Sequence, residues 1–455
     1  MERMISFHDS GMTDSVWARV RSAVEDLGAT VVRRGQSRVG RGVAWSIVGN
    51  GFSQGGSFLS SLVVARVLGR EFFGQFALIQ STVTVLTTLA SLGVGLTATK
   101  YIAEYRASRT GSIGELLGLS STLMVLAGLF FSCALGVGSP LLAVRAGQAA
   151  ITAGFRLSTI AVFFLTLSGY QTGVLAGFEN FRSIARTGMI CGIANPMLTW
   201  WSAVRFGLEG GVAAQGASAF LLWLLYGISV KGECQRRGIA VEYRGAWGQR
   251  SILTSASVPA AVCGIVISVA VWGSNGILVR ACGYSELALL TAASNLRSVV
   301  LFLPALIFRV ASPRLSHLFA TDPSTYSRCF WEVVGVNSAL AFVIASIAFL
   351  RGHQFVRLFG KNFAGSNGLL ALILTSVVIE VVATNLFLAL LAGGRFWWNL
   401  GIQALWATHL LVASAFAAPR YGAAGVAMAY LSAWSMAALL YSAEALKQVN
   451  YRRQS

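Results

Sequence analysis

Apolar residues run through this chain in long blocks, separated by short polar turns, rather than in the alternating pattern of strands or the one-sided stripe of soluble helices. A helix needs roughly 20 apolar residues to cross about 30 Å of hydrocarbon. Twelve stretches meet or nearly meet that demand: 43–64, 73–97, 115–137, 157–177, 184–204, 211–230, 254–276, 287–308, 330–350, 368–391, 398–417 and 422–443. Blocks of this length select helices, which satisfy every backbone group within lipid. The pattern predicts an all-α polytopic membrane protein with twelve transmembrane helices.

The turns between blocks repeat. Ala65-Arg66-Val67-Leu68-Gly69 follows the first block, and Val279-Arg280-Ala281-Cys282-Gly283 follows the seventh. Leu175-Ala176-Gly177, after the fourth block, returns as Leu391-Ala392-Gly393 after the tenth, and Arg205-Phe206-Gly207, before the sixth, returns as Arg420-Tyr421-Gly422 before the twelfth. Three anchors in register, at nearly constant spacing, predict a duplicated six-helix unit; chance among common Gly, Leu and Ala residues is the alternative. Six is even, so both copies share one membrane polarity and an axis along the membrane normal. The expected architecture is two pseudo-symmetric six-helix lobes, 43–230 and 254–446, around a central cavity. A cytoplasmic linker, 231–253, joins them, and a basic tail, 1–42, and a short one, 447–455, flank them.

Composition agrees with this picture, and charge refines it. The chain is 55% hydrophobic and 11% charged, with a mean hydropathy of +0.67, whereas soluble domains carry about 25% charged residues. A net charge of +18 would raise nucleic-acid binding in a soluble protein. Here twenty-four Lys and Arg fall in one set of alternating loops and ten in the other. Positive charge stays on the cytoplasmic side, so both termini are expected there, with most of the charge facing anionic lipid rather than nucleic acid. The first forty residues lack the apolar core and small-residue cleavage site of a signal peptide. A solvated tail is expected, with a surface helix over 17–28 as the alternative.

The six cysteines are scattered singly and the four histidines show no ligand spacing, so no metal is expected. Gly93-Val94-Gly95 opens no strand-turn-helix unit, no Walker-type lysine follows a glycine cluster, and the loops are too short for a catalytic domain. No cofactor and no enzymatic activity are expected.

Polar residues inside the blocks carry the candidate chemistry. Asn50, Gln54, Ser57 and Ser61 recur at i, i+4, i+7 and i+11, and Gln80, Thr84, Thr87 and Ser91 repeat that spacing in the second block. Each set marks one helix face, either lining an aqueous cavity or bonding to neighbouring helices. Arg297 stands within the eighth block among Thr291, Ser294, Asn295 and Ser298. An arginine at mid-membrane costs at least about 2.5 kcal/mol, so it faces a cavity, pairs with an acid or snorkels. Glu380, inside the tenth block, is a candidate coupling site for a proton or sodium ion, or the structural partner of Arg297. Arg66 and Arg280 close the first and seventh blocks, where they either steer an anionic headgroup or cap helix carbonyls. Pro196, Pro259 and Pro304 should kink the fifth, seventh and eighth helices.

With these residues in place, the chain resembles the polysaccharide-repeat or O-antigen flippases of the multidrug/oligosaccharidyl-lipid/polysaccharide exporter superfamily. The resemblance covers about 42–445 and is carried by Leu68-Gly69-Arg70-Glu71-Phe72-Phe73-Gly74, Gly177-Phe178-Glu179-Asn180-Phe181, Pro313-Arg314-Leu315-Ser316 and Leu358-Phe359-Gly360-Lys361-Asn362-Phe363. It implies a bacterial inner-membrane carrier that moves a polyprenyl-diphosphate-linked oligosaccharide outward by alternating access, alongside polysaccharide polymerase and glycosyltransferases. Arg297 would then compensate phosphate charge while Asn50, Gln54, Gln80 and Asn295 contact the glycan, and its replacement by Ala is expected to lower transport. Cation-coupled drug efflux, a lipid-linked peptidoglycan precursor flippase and a non-transporting scaffold are the competing readings.

Overall fold

The computed structural model describes residues 38–91, 93–108, 113–243, 258–360, 363 and 367–454. The basic tail, with its alternative surface helix over 17–28, lies outside them apart from 38–42, and so does the second part of the linker, 244–253. The described residues form helices α1 (Arg38–Ser91), α2 (Val94–Ser108), α3 (Ile113–Arg145), α4 (Thr152–Gly177), α5 (Phe181–Arg236), α6 (Val258–Cys282), α7 (Tyr284–Thr321), α8 (Pro323–Leu350), α9 (Gly352–Phe359), α10 (Asn367–Ala392) and α11 (Phe396–Gln454). A 3-10 turn, Ala149–Ile151, leads into α4. Among the described residues, eight helices are long and apolar enough to cross a membrane, or up to nine when the bent pair at the end of α1 and α2 counts as one span.

Fewer helices appear than the twelve blocks predict, because neighbouring blocks join through a glycine instead of a loop. α1, α5 and α11 run for 54, 56 and 59 residues. Each contains one residue far from helical torsions: Gly69 (φ 81°, ψ −179°), Gly207 (φ 61°, ψ −138°) and Gly422 (φ 58°, ψ −135°). Such positive φ values suit glycine, which has no Cβ to clash. α6 and α7 meet at Gly283 (φ 84°, ψ 177°), the counterpart of Gly69 in the repeated turn and in the same conformation. Gly207 and Gly422 are counterparts in the same way, and Glu179 (φ 59°) and Gly394 (φ 68°) form a further pair at nearly equal spacing. The short sequence anchors thus mark turns of matching geometry.

The departures from helical torsions inside the long helices fall at these glycines. Pro196 lies inside α5, well before its break. Pro259 lies beside the undescribed residues that precede α6. Pro304 lies within α7, and its carbonyl accepts a hydrogen bond from Asn337 Nδ2 at 3.2 Å. Helix α5 also continues through 231–236, and the extended residues beyond it pack on α3: Glu242 N donates to Gly114 O at 3.1 Å. The start of the linker is therefore held against the first half.

Three apolar cores organise these helices. One joins both halves, from Val64, Phe73 and Ile79 to Leu278, Leu287, Phe359 and Val426. The second lies within the C-terminal half around Tyr326, Trp406 and Tyr441, and the third within the N-terminal half around Ile102, Leu116 and Phe178. Within the first half, α1 and α5 touch backbone to backbone. A Cβ on Gly56 would collide with the carbonyl of Gly192, and one on Gly192 with that of Phe52.

Candidate functional site: two connected cavities

Where the halves face each other, three helices turn polar side chains toward a shared cleft of about 470 Å³. Helix α1 supplies Gln54, Ser57, Ser60 and Ser61 before its break and Gln80 after it; α5 supplies Asn195, Thr199 and Gln215; α7 supplies Thr291, Asn295 and Ser298. The i, i+3, i+7 spacing on α1 brings Gln54, Ser57 and Ser61 to one face, as helical geometry requires. Asn295 Nδ2 donates to Ser61 Oγ at 2.7 Å, linking the two halves across the cleft. No charged residue lines this cleft among the described residues. Of the second polar set, Gln80 reaches the cleft, while the Thr84 and Thr87 hydroxyls donate to the carbonyls of Gln80 and Val83 in their own helix, at 2.9 and 2.8 Å. Such back-bonding satisfies a hydroxyl without any outside partner.

A second cavity of about 670 Å³, lined mostly by the C-terminal half and closed by Ala77, Gln80 and Ser81 of α1, shares Ala77, Gln80 and Thr291 with the cleft. Arg297 and Glu380 both line it. Arg297 Nε donates to Glu380 Oε2 at 2.9 Å, and its Nη2 to Oε1, so the pair is bidentate, with side chains 30% and 12% exposed. Fork-to-carboxylate geometry of this kind gives the strongest side-chain hydrogen bonds. The same lining carries Asn399, Gln403 and Tyr441: Gln403 Nε2 donates to Tyr441 OH at 3.0 Å, which donates to Asn399 Oδ1 at 2.6 Å.

The Gly69 end of the molecule is clasped shut. Arg70 Nε donates to Ser285 O at 2.9 Å and its Nη2 to Glu286 Oε1 at 3.0 Å. The other Glu286 oxygen accepts from Ala423 N at 2.8 Å, capping the helix that restarts after Gly422. A Cβ at Gly422 would press on that same carboxylate. Tyr284 OH donates to Ala146 O at 2.8 Å, and a Cβ on Gly74 would collide with the Tyr284 carbonyl. Phe58 and Phe73 of the first half pack on Phe355, Phe359 and Phe363 of the second, with ring centroids 5.3 to 6.1 Å apart, closing the cleft floor.

The sequence-derived candidates thus divide. Gln54, Gln80 and Asn295 meet in the cleft, and Arg297 and Glu380 meet in the second cavity. Asn50 lies outside both linings. Arg66 is exposed at the clasped end, where its Nε donates to Leu358 O, and Arg280 is exposed in the last turn of α6. Glu286, Asn399, Gln403, Trp406 and Trp434 were not singled out from the sequence. Asn399 and Gln403 stand four apart, the same helical spacing that marks Gln54, so that signal was present. Glu286 had none, because its partners are 137 and 216 residues away.

Comparison with known proteins places this arrangement. The family described as "Polysaccharide biosynthesis protein" matches residues 39–319. No functionally curated protein matches the sequence. Among solved structures, the chain is similar to an inward-facing multidrug resistance MATE family transporter of the MOP superfamily, at 13% identity over 90% of this chain and 99% of that one, with a TM-score of 0.73. It is also similar to the lipid II flippase MurJ in its inward closed conformation, at 12% identity over 90% of each chain and TM-score 0.70. A MOP superfamily transporter from Pyrococcus furiosus aligns at 13% identity over 92% and 96%, TM-score 0.65. These likenesses give the fold, and the family match spans more than half of the sequence. The chain is a multi-pass membrane protein that belongs to the polysaccharide biosynthesis protein family and carries the fold of MOP superfamily transporters.

Proposed function

We propose that this protein is a flippase for polyprenyl-diphosphate-linked oligosaccharide repeat units in a bacterial inner membrane, serving O-antigen, capsule or exopolysaccharide assembly by alternating access. The observation that carries this reading is the uncharged amide- and hydroxyl-lined cleft between the halves, floored at one end by the clasp. Amides and hydroxyls match the donors and acceptors of a glycan, and the lipid tail can remain in the bilayer. Exposed Arg182 and Arg186 at the start of α5, and Arg309 and Arg314 late in α7, stand toward the end opposite the clasp, where a diphosphate would meet them. Membership of a polysaccharide family favours this cargo over a drug. So does the charge of the cavities: the cleft lining holds no carboxylate among the described residues, and Glu380 is already engaged by Arg297.

The same reading takes the chain as twelve passes in two related halves. At 1.5 Å per residue, a helix of 54 to 59 residues would extend roughly 80–90 Å, more than twice the hydrocarbon thickness. Splitting α1, α5 and α11 at their glycine breaks turns each into two passes. An even count, together with the positive-inside bias, puts both termini in the cytoplasm, within reach of glycosyltransferases and a polymerase as partners.

Purified protein in liposomes carrying a fluorescent undecaprenyl-diphosphate oligosaccharide tests the proposal. Added glycosidase should reach substrate from the inner leaflet over time, and Gln54→Trp, which fills the cleft, should abolish this exposure. If empty and protein-bearing liposomes behave alike while the protein moves tetraphenylphosphonium, the drug-efflux reading replaces it.

A further inference from the structure

The clasped end carries arginines that neither the clasp nor the cleft uses. Four stand at repeated positions: Arg66 and Arg280 precede Gly69 and Gly283 by three residues, and Arg205 and Arg420 precede Gly207 and Gly422 by two. All four are exposed. Within each half the helices that bear them touch. A Cβ on Gly211 of α5 would lie 3.7 Å from the Val64 side chain of α1, and Cys282 Sγ of α6 donates to Ala418 O of α11 at 3.2 Å. Exposed Arg145 and Arg357 adjoin Ala146 and Leu358, the acceptors of Tyr284 and Arg66, and so belong to the same end. The carboxylates there are Glu71 and Glu209, both exposed, and Glu286, which Arg70 already engages. A surplus of positive charge remains. Arg66 spends one donor on Leu358 O, but Arg205, Arg280 and Arg420 make no ion pair or side-chain hydrogen bond among the described residues.

Position narrows the partner. One helical turn before Arg145, Arg205 and Arg420, and hence on the same face, stand Leu141, Trp201 and Phe416, each more than half exposed. Phe206 and Tyr421, next to Arg205 and Arg420, are equally open. In a membrane-spanning chain, acyl chains cover such surface and aromatic rings collect at headgroup level. An arginine whose stem follows that surface carries its guanidinium into the headgroup layer. Capping of helix carbonyls, the structural alternative for cations at helix ends, accounts for no contact of Arg205, Arg280 or Arg420 among the described residues. A zwitterionic headgroup would bring its own cation against the surplus, whereas a net-negative one brings phosphate charge alone.

We infer that this end bears a basic collar that binds anionic phospholipid headgroups, with a share on each half because its four core arginines are repeated. That these lipids belong to the outer leaflet rests on the flippase reading and its topology; the binding itself does not.

The test uses the full chain in lipid nanodiscs, with a bimane on Tyr421→Cys and the signal of the equally treated parent chain subtracted. Phosphatidylglycerol carrying a nitroxide high on its acyl chain should quench this probe more strongly than the matching phosphatidylcholine at equal mole fraction. Millimolar inorganic phosphate should leave that preference unchanged. Arg280→Gln and Arg420→Gln should each lower it by about fivefold, the worth of one basic side chain near an anionic surface, and the double variant should bring the two lipids close to parity. The inference is overturned if the two lipids quench alike in the otherwise wild-type chain, if inorganic phosphate abolishes the preference, or if the folded double variant keeps it. The lipid comparison in the otherwise wild-type chain decides even if a variant misfolds. A lipid preference without flipping in liposomes would reject the transport reading alone, whereas flipping without the preference would reject the collar alone.

Discussion

Removing one member of the Arg297–Glu380 pair should cost more than removing both. The two side chains share two charge-assisted hydrogen bonds, at 30% and 12% exposure. Deleting one partner of a buried pair typically costs about 3–5 kcal/mol, because the survivor is left as an uncompensated charge. Partial exposure of Arg297 places Arg297→Met and Glu380→Met near the lower limit, about 3 kcal/mol each. The double variant carries no stranded charge, and well-packed apolar replacements of such pairs are often close to neutral. It should therefore cost about 3 kcal/mol or less, not the additive figure of about 6, giving a coupling of at least about 3 kcal/mol. Reversible unfolding in mixed micelles, followed by helical circular dichroism, measures all four corners of the cycle. A double variant that costs the sum of the singles, with coupling under about 0.5 kcal/mol, would refute a bonded pair.

Three further outcomes follow from the packing. Gly56→Ala should sharply lower the yield of monodisperse protein, since its new Cβ meets the Gly192 backbone, while Gly55→Ala, with no atom within 4 Å of its Cβ, should behave as wild type; fluorescence-detected size exclusion compares them. Glu286→Ala removes the acceptor for both Arg70 and Ala423 N, so the clasped end should open more often. A cysteine placed at the buried Ala65 should then react faster with a maleimide than in the wild-type background. Asp322, ahead of α8, has its carboxyl held down to about 2, chiefly by the Thr325 hydroxyl and amide, with help from Ser324. Its cap should contribute fully above the ordinary value of 3.8 and be lost as pH falls through about 2, seen as faster hydrogen exchange at Ser324 and Thr325.

Local signals were legible where geometry is local. Gln54, Ser57 and Ser61 were recognisable as one face because helical periodicity depends only on their spacing, and the structure puts all three on the cleft. Gly69, Gly207, Gly283 and Gly422 stood out as repeated turn residues, and each adopts a positive φ. A glycine at positive φ interrupts helical torsions, which is why these turns divide the long helices.

By itself, the sequence determined that the chain lives in membrane, that its helices come in long apolar blocks, and that a few polar and charged residues had to be kept from lipid. Those conclusions follow from transfer energies and from the rise of a helix, which need no knowledge of neighbours. Only the tertiary structure decided which polar groups share a cavity: that Arg297 spends its charge on Glu380, that Asn295 reaches Ser61, and that Glu286 locks Arg70 and the start of a distant helix. Such pairings join residues 83 to 234 positions apart, and a helical pattern fixes a face without saying what that face will meet.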